Sequence, residues 1–503
     1  MSEIKQKSIK KNFIMNAILT MSGMIFPLIT YPYVIDIIGK EGTGAVKFAT
    51  SVIAYFAMFA QLGIPTYGIK ACAKVRDDKE KLSKTVHELM LINLMMSVVV
   101  YVLFFASLFI IPQFAEDRIL LIIVSSTMFF NMIGIEYLYR GLEQYSYITI
   151  RSLIFKALGL VLMFILVRKR SDVEMYGAIT IFAASASNIF NFIYARKLIS
   201  FRRQKQLDLK KHIRPVMVFF AMSCATQVYL NLDGIMLGFM KGKAVVGDYD
   251  SAVKIKVILV SVVTSLGAVL LPRASYYIKN KKMDEFRRIT AKALHFVWVF
   301  ATPLTVYFIF FAKEGIRFLT KDECINAIPA MQIIVPTVLF IGLSNILGIQ
   351  ILVPIGKEKI VLYSEIGGAV VDLVLNAIFI PKYDAAGAAF GTTVAELIVV
   401  MIQLYFMRDI KDQIDIKQSF AKIGYWKIII ALIAAIPASI WVKMIDASAF
   451  TTSIRLESFI ILAISATMFF AVYLLLMIIL KDKLTKEIVD GLVSKFKKKK
   501  QID

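Results

Sequence analysis

Histidine, cysteine, tryptophan and acidic side chains are all scarce in this chain of 503 residues. The three cysteines, Cys72, Cys224 and Cys324, are an odd number without metal-ligand spacing, which excludes a disulfide framework and a zinc site. His87, His212 and His295 stand far apart with no motif around any of them, so no catalytic residues are expected and the chain does not read as an enzyme. The run from Gly238 to Ala244 superficially resembles a phosphate loop. Its spacing is one residue short and Ala244 stands where Ser or Thr is required, which excludes ATP hydrolysis. Only 36 acidic residues accompany 59 basic ones. That excess does not point to nucleic acid, because Lys and Arg fall in bursts between apolar runs, as membrane topology demands.

What the chain has in abundance is apolar sequence. At 58% apolar residues and a mean hydropathy of +0.71 it lies above the roughly 45–50% of soluble domains. The first apolar segment, Phe13 to Ile38, exceeds the roughly 7–15 residues of a signal-peptide core and is expected to remain as a spanning helix. Apolar spans follow over 45–66, 86–111, 118–139, 147–167, 175–195, 214–240, 249–271, 289–312, 326–353, 361–380, 385–407, 425–443 and 456–480. Each is near the roughly twenty residues that a hydrocarbon core requires. With the N-terminus inside, about 42 basic residues fall in inner segments and about 13 in outer loops, the asymmetry of the positive-inside rule. The outer loops, such as the one holding Gly39 to Gly44, are too short for a folded external domain.

These features predict an all-α integral membrane protein of about 14 transmembrane helices with both termini cytoplasmic. A faint repeat supports two six-helix bundles in parallel. Asp36 and Gly39 before Gly44 answer Asp233 and Gly238 before Gly247, and two later matches follow in the same order. The expected domains are 1–212 and 213–410 for the bundles, 411–480 for two added helices, and 481–503 for a basic amphipathic tail on anionic lipid. Halves related in this way place a site between them and give alternating access by rocking.

Ionisable groups inside apolar spans mark the candidate site, because a charge at the bilayer centre costs at least about 2.5–3.5 kcal/mol and faces a cavity or a partner. Lys156 lies near the middle of span five, with Arg151 nearer the cytoplasm. It either binds an anion or pairs with a buried acid such as Asp372. Lys254 falls inside span eight, and Asn231 with Asp233 lies two turns from the outer end of span seven. Lys47, close to the outer end of span two, is read as snorkelling to the interface. Glu365, Asp372 and Asn376 recur at helical intervals on one face of span eleven, and Glu396 is on a polar face of span twelve. These acids either bind a coupling H+ or Na+ or bond between helices while protonated. Glu136 and Arg140 end span four as interfacial anchors or as part of the site.

The stretch Gly134-Ile-Glu136-Tyr-Leu-Tyr-Arg140-Gly-Leu-Glu143, with Asn231-Leu-Asp233-Gly running on through Gly247 to Lys254, resembles bacterial Wzx-type oligosaccharide flippases. These are polysaccharide-export relatives of the multidrug MATE exporters and the lipid II flippases. The resemblance spans essentially the whole chain and implies translocation of an undecaprenyl-diphosphate-linked oligosaccharide across the bacterial cytoplasmic membrane, through a cationic cavity opening alternately to each side. Arg140, Arg151, Lys156 and Lys254 would then contact substrate or gate, with Asp233 a cavity-facing acid. Implied partners are the lipid-linked glycan, membrane lipid and polysaccharide-assembly membrane proteins. A drug or cation antiporter of the same architecture, which predicts an acidic cavity, and a lipid II-type flippase are the competing expectations.

Overall fold

In the computed structural model, residues 9–202, 207–410, 423–444 and 451–487 are described, and they contain helices, turns and no strand. Of the amphipathic tail expected over 481–503, only residues 481–487 are described, and the rest lies outside the described residues. All fourteen apolar windows are predominantly helical. Nine helices among the described residues are long and apolar enough to cross a membrane.

The chain divides into two compact units, Met1–Asp250 and Ser251–Asp503. The first opens with α1 (Ile9–Gln61), α2 (Ile64–Lys74), α3 (Lys79–Ile110), α4 (Pro112–Glu116), α5 (Arg118–Gly134) and α6 (Glu136–Gly141). Next come α7 (Tyr145–Leu166), α8 (Val173–Ile181), a π turn over Phe182–Ala186, α9 (Asn188–Leu198) and α10 (Lys210–Lys241); α11 (Lys243–Lys279) crosses into the second unit. Asp78 caps α3 by accepting from the backbone N–H groups of Glu80 and Lys81, both at 3.1 Å. Those bonds, and the Lys81 ammonium beside it, hold its carboxyl below the usual range. Helix exteriors are rich in exposed Leu, Ile, Val and Phe, as lipid contact requires, while Phe48, Ile53, Phe104, Leu121 and Met128 close one buried cluster.

The loop expected between the first two spans is a single residue. Gly39, at φ 70° and ψ −179°, is the only non-helical point within α1, so Lys40 onward is already helix. Gly242 repeats this between α10 and α11 at φ 89° and ψ 176°. Gly39-Lys40 through Gly44 therefore matches Gly242-Lys243 through Gly247, and the repeat register read from Gly238 is corrected by four residues, one turn of helix. A positive φ suits glycine because it has no Cβ to clash. Hydropathy alone could not see a turn one residue long, because the flanking residues continue both helices.

The second unit holds α12 (Met283–Phe310), α13 (Ala312–Thr320), α14 (Ala327–Ile334), α15 (Thr337–Ser344) with a π segment over Asn345–Leu352, α16 (Glu358–Phe406), α17 (Tyr425–Ile440) and α18 (Ile454–Ile479). Asp384, at φ 50°, reverses α16 into a hairpin whose two arms carry the eleventh and twelfth spans. Helices α17 and α18 pack on each other, and Arg455 of α18 donates to the carbonyls of Phe318 and Leu319 in the last turn of α13. After α18 the chain returns to α12: His295 Nε2 stands 2.9 Å from Asp482 Oδ1, and Lys292 Nζ lies 2.6 Å from Glu487 Oε2.

Candidate functional site

A cavity of about 500 Å3 opens within the first unit, between the second arm of α1, α5 and α10. Its size is that of a small-molecule site. Thr50, Gln61, Thr127, Asn131, Ser223 and Gln227 supply most of its polar lining, alternating with apolar positions such as Ile53, Ala57 and Val124. Among the described residues no charged side chain lines it. Thr50, Ala54, Ala57 and Gln61 fall on one face of α1 at spacings of three and four, and Ser223 and Gln227 do so on α10.

The candidate residues of this unit surround the cavity without lining it. Arg151, buried on α7, donates through Nη1 to the Ser187 carbonyl and to Asn188 Oδ1, both at 3.2 Å. Its Nη2 lies 3.7 Å from Glu136 Oε2, while Arg140 binds the other oxygen of that carboxylate at 2.7 Å. Glu136 thus joins Arg140 and Arg151 in one cluster. Asn188 Nδ2 in turn donates to Asn131 Oδ1 at 3.4 Å, so the cluster reaches the cavity wall through two amides. Asn231 donates to Gln227 Oε1 at 2.9 Å and acts on the lining at one remove. Asp233 is buried and accepts a hydrogen bond from the Tyr249 hydroxyl.

Lys156 stands apart from this cluster. Its ammonium, half-buried, donates to Ser22 Oγ on α1 at 2.8 Å, and no carboxylate pairs with it among the described residues. Lys47 lies near the cavity and is not among its described lining residues. One turn beyond Thr50 on the cavity face of α1, it is half-buried and its stem packs where Gly234 of α10 has no side chain. Its position near the span end suggested an interfacial anchor, whereas the period of the lining residues places it on the cavity side.

In the second unit, Lys254 is half-buried on α11. Asp372, Asn376 and Glu396 are all buried in the α16 hairpin. Asp372 and Asn376 face Gly391 across the hairpin, where a Cβ would come within 3.0 Å of Asp372 Oδ1 and overlap the Asn376 amide oxygen. One turn-pair further along, Gln403 Nε2 donates to Ser364 Oγ at 3.2 Å. These contacts pack the two arms of the hairpin together, with Asp372 beside Gly391 on one arm and Glu396 further along the other. Glu365 is only partly buried, near the open end of the hairpin. Among the described residues no group of three or more His, Cys, Asp or Glu is arranged to hold a metal ion.

Long apolar helices that expose apolar surface outward, with a polar cavity inside the first unit, define a multi-pass membrane transporter. The chain belongs to the polysaccharide biosynthesis protein family, which it matches over residues 9–277. Residues 219–378 also match the MatE family. It is 22% identical over 410 residues to "Putative O-antigen transporter" of Escherichia coli (strain K12), covering 80% of this chain and 98% of the relative. It is likewise 22% identical over 380 residues to "Capsular polysaccharide biosynthesis protein CapF" of Staphylococcus aureus, covering 74% of this chain and 92% of that one. Its fold is similar to that of the lipid II flippase MurJ in an inward closed conformation, with a TM-score of 0.70 at 17% identity, covering 93% of this chain and 98% of the other. An inward-facing multidrug resistance MATE family transporter of the MOP superfamily is similar at a TM-score of 0.57 and 14% identity, covering 82% and 97%.

Proposed function

We propose that this protein is a flippase that carries undecaprenyl-diphosphate-linked oligosaccharide units across the bacterial cytoplasmic membrane by alternating access, for surface polysaccharide assembly. The observation that carries the reading is a hydrogen-bonding, uncharged cavity inside a family member whose exterior is built for lipid. Sugar hydroxyls and a diphosphate cannot cross hydrocarbon unaided, whereas a polyprenyl chain can remain in lipid while its head passes through a polar groove. Lys156, Arg140, Lys47 and Lys254 are the cations offered for the diphosphate, with both termini on the cytoplasmic side. Moving about two negative charges outward across a cell-negative 100 mV is favourable by roughly 4–5 kcal/mol, so the membrane potential alone supplies a driving force.

Asp372 and Glu396, buried on the two arms of the α16 hairpin, are the proposed site of H+ or Na+ coupling, with Glu365 nearer the water. These buried acids are also the one feature that favours the second reading, a cation-coupled drug exporter. The test is flipping of a fluorescent undecaprenyl-diphosphate oligosaccharide by the purified full-length chain in proteoliposomes. Translocation of that lipid, with none of a cationic drug, supports the flippase; the reverse supports the exporter. Flux unchanged in Asp372→Asn and Glu396→Gln under imposed ion gradients removes the coupling role.

A further inference from the structure

The uncharged cavity and the buried guanidinium behind it are joined by a hydrogen-bonded chain with a fixed direction. A guanidinium can only donate, so the atom of Asn188 that meets Arg151 Nη1 at 3.2 Å is its carbonyl oxygen. The amide nitrogen of Asn188 is thereby turned toward Asn131, and the atom of Asn131 that meets it is again the oxygen, at 3.4 Å. The Asn131 NH2 group is left toward the cavity, as a pair of donors. Gly134 makes this geometry possible: a Cβ there would stand 2.6 Å from Asn188 Cγ. Arg151 is itself oriented by the Ser187 carbonyl and by Glu136, so the Asn188 amide cannot flip without losing its bond to a charged group, and a flip of Asn131 would set its NH2 against the NH2 of Asn188.

We propose that Asn131 is the residue that reads the glycan, presenting N–H donors to an uncharged oxygen of a sugar, a hydroxyl or an acetamido carbonyl, and that Arg151 is a positioning residue acting through Asn188. This rests on the transporter reading and narrows its cargo. A sugar carboxylate in this cavity meets neutral amides and hydroxyls; the nearest cation on the α1 face, Lys47, stands a turn beyond the lining residue Thr50. An ion that exchanges water for neutral partners is disfavoured, so uronic acids are excluded from this part of the repeat unit.

The experiment uses water-soluble sugars, so that it reports occupancy of the cavity without flipping. In the full-length chain with Cys224→Ser, Ser223→Cys supplies a thiol at the cavity wall for maleimide labelling. Chitotriose or maltotriose is expected to slow labelling at concentrations at least about tenfold below those needed for tri-galacturonate. Asn131→Ala is expected to erase that preference. Arg151→Ala should erase it equally, with no further loss in the double variant, and Arg151→Lys, which keeps a charged donor, should retain most of it. Equal or better protection by the anionic trimer, no protection by any sugar, or a preference unchanged in both Asn131→Ala and Arg151→Ala would overturn the proposal. Protection by neutral sugars in a protein that flips no lipid-linked glycan would sink the flippase reading and leave this one standing.

Discussion

Gly44 and Gly247 each lie against the backbone carbonyl that begins the other's helix, Gly44 on Lys243 and Gly247 on Lys40. The two contacts are exchanged by the internal repeat. A Cβ at either position would overlap a main-chain oxygen, which cannot rotate away as a side chain can. Lys40 adds an ion pair to Asp248 at 3.2 Å, and Lys243 one to Asp117 at 2.9 Å. Burial opposes the charge on Lys243, but Asp117 and Glu116 outweigh it and raise its pKa above the ordinary value. Gly44→Ala and Gly247→Ala are each expected to destabilise this closed arrangement by about 1–3 kcal/mol, the usual cost of overpacking. Thermal unfolding of the detergent-purified chain, compared with Gly23→Ala, where a Cβ meets only Lys156 Nζ at an ordinary 3.8 Å, measures the difference.

Glu88 is fully buried and gathers three donors at one end of the first unit. Asp208 N–H reaches it at 2.8 Å, Lys211 Nζ at 2.7 Å and His212 Nε2 at 2.9 Å. His212 Nδ1 meets the Tyr67 hydroxyl at 2.8 Å on its far side. Glu88→Ala leaves the buried His212 ring without this partner, at about 1–3 kcal/mol, while the Asp208 N–H and Lys211, both exposed, can turn to water. A lowered melting temperature, with Glu88→Gln intermediate, is the expected result.

Asp482 carries a pH dependence of stability. Burial raises its pKa, but the adjacent His295 imidazole and the Thr485 backbone N–H and hydroxyl outweigh it, and the carboxyl falls from its ordinary 3.8 to about 2. A depressed folded pKa contributes stability that is present above the unfolded value and lost as protons bind. The contribution is therefore complete above about pH 4 and disappears as the pH falls through about 2. In acid melts from pH 5 to 2, Asp482→Asn should flatten this part of the curve and lower stability at pH 5.

Lys156 has a hydroxyl, not a carboxylate, for its partner. Lys156→Ala is expected to lower flipping of lipid-linked oligosaccharide severalfold at unchanged expression, and Lys156→Arg to preserve most of it. Full activity of the alanine variant would assign the ammonium to packing against Ser22.

Helix positions were legible from hydropathy because lipid demands long apolar runs, and the fourteen windows are all predominantly helical. The correspondence between the glycine segments at 39–44 and 242–247 was legible as well, though a turn out of register. Its anchor is the backbone geometry at Gly39 and Gly242, and the glycine at 238 offered a competing match of equal composition. The site was legible only through charge. Arg151 and Asp233 stood out because burying a charge is costly, yet both are bound within the first unit, by Asn188 and Tyr249. Asn131, Asn188 and Thr127 carry no charge, and a neutral amide in an apolar span has many structural explanations, so nothing in the sequence marked them as cavity and relay. Lys47 stands on the α1 face that carries the lining residues but one turn outside the lining, a relation that depth alone does not show.

Arg455 occupies the carbonyl oxygens that α13 leaves open at its end, and Lys443, on the turn after α17, reaches the Phe310 carbonyl at 2.6 Å and Glu314 at 3.4 Å. The last two helices are thus stitched to their neighbours by bonds that do not depend on the covalent link through residues 411–422. Cut there and co-expressed as two polypeptides, the fragments would reassociate unaided.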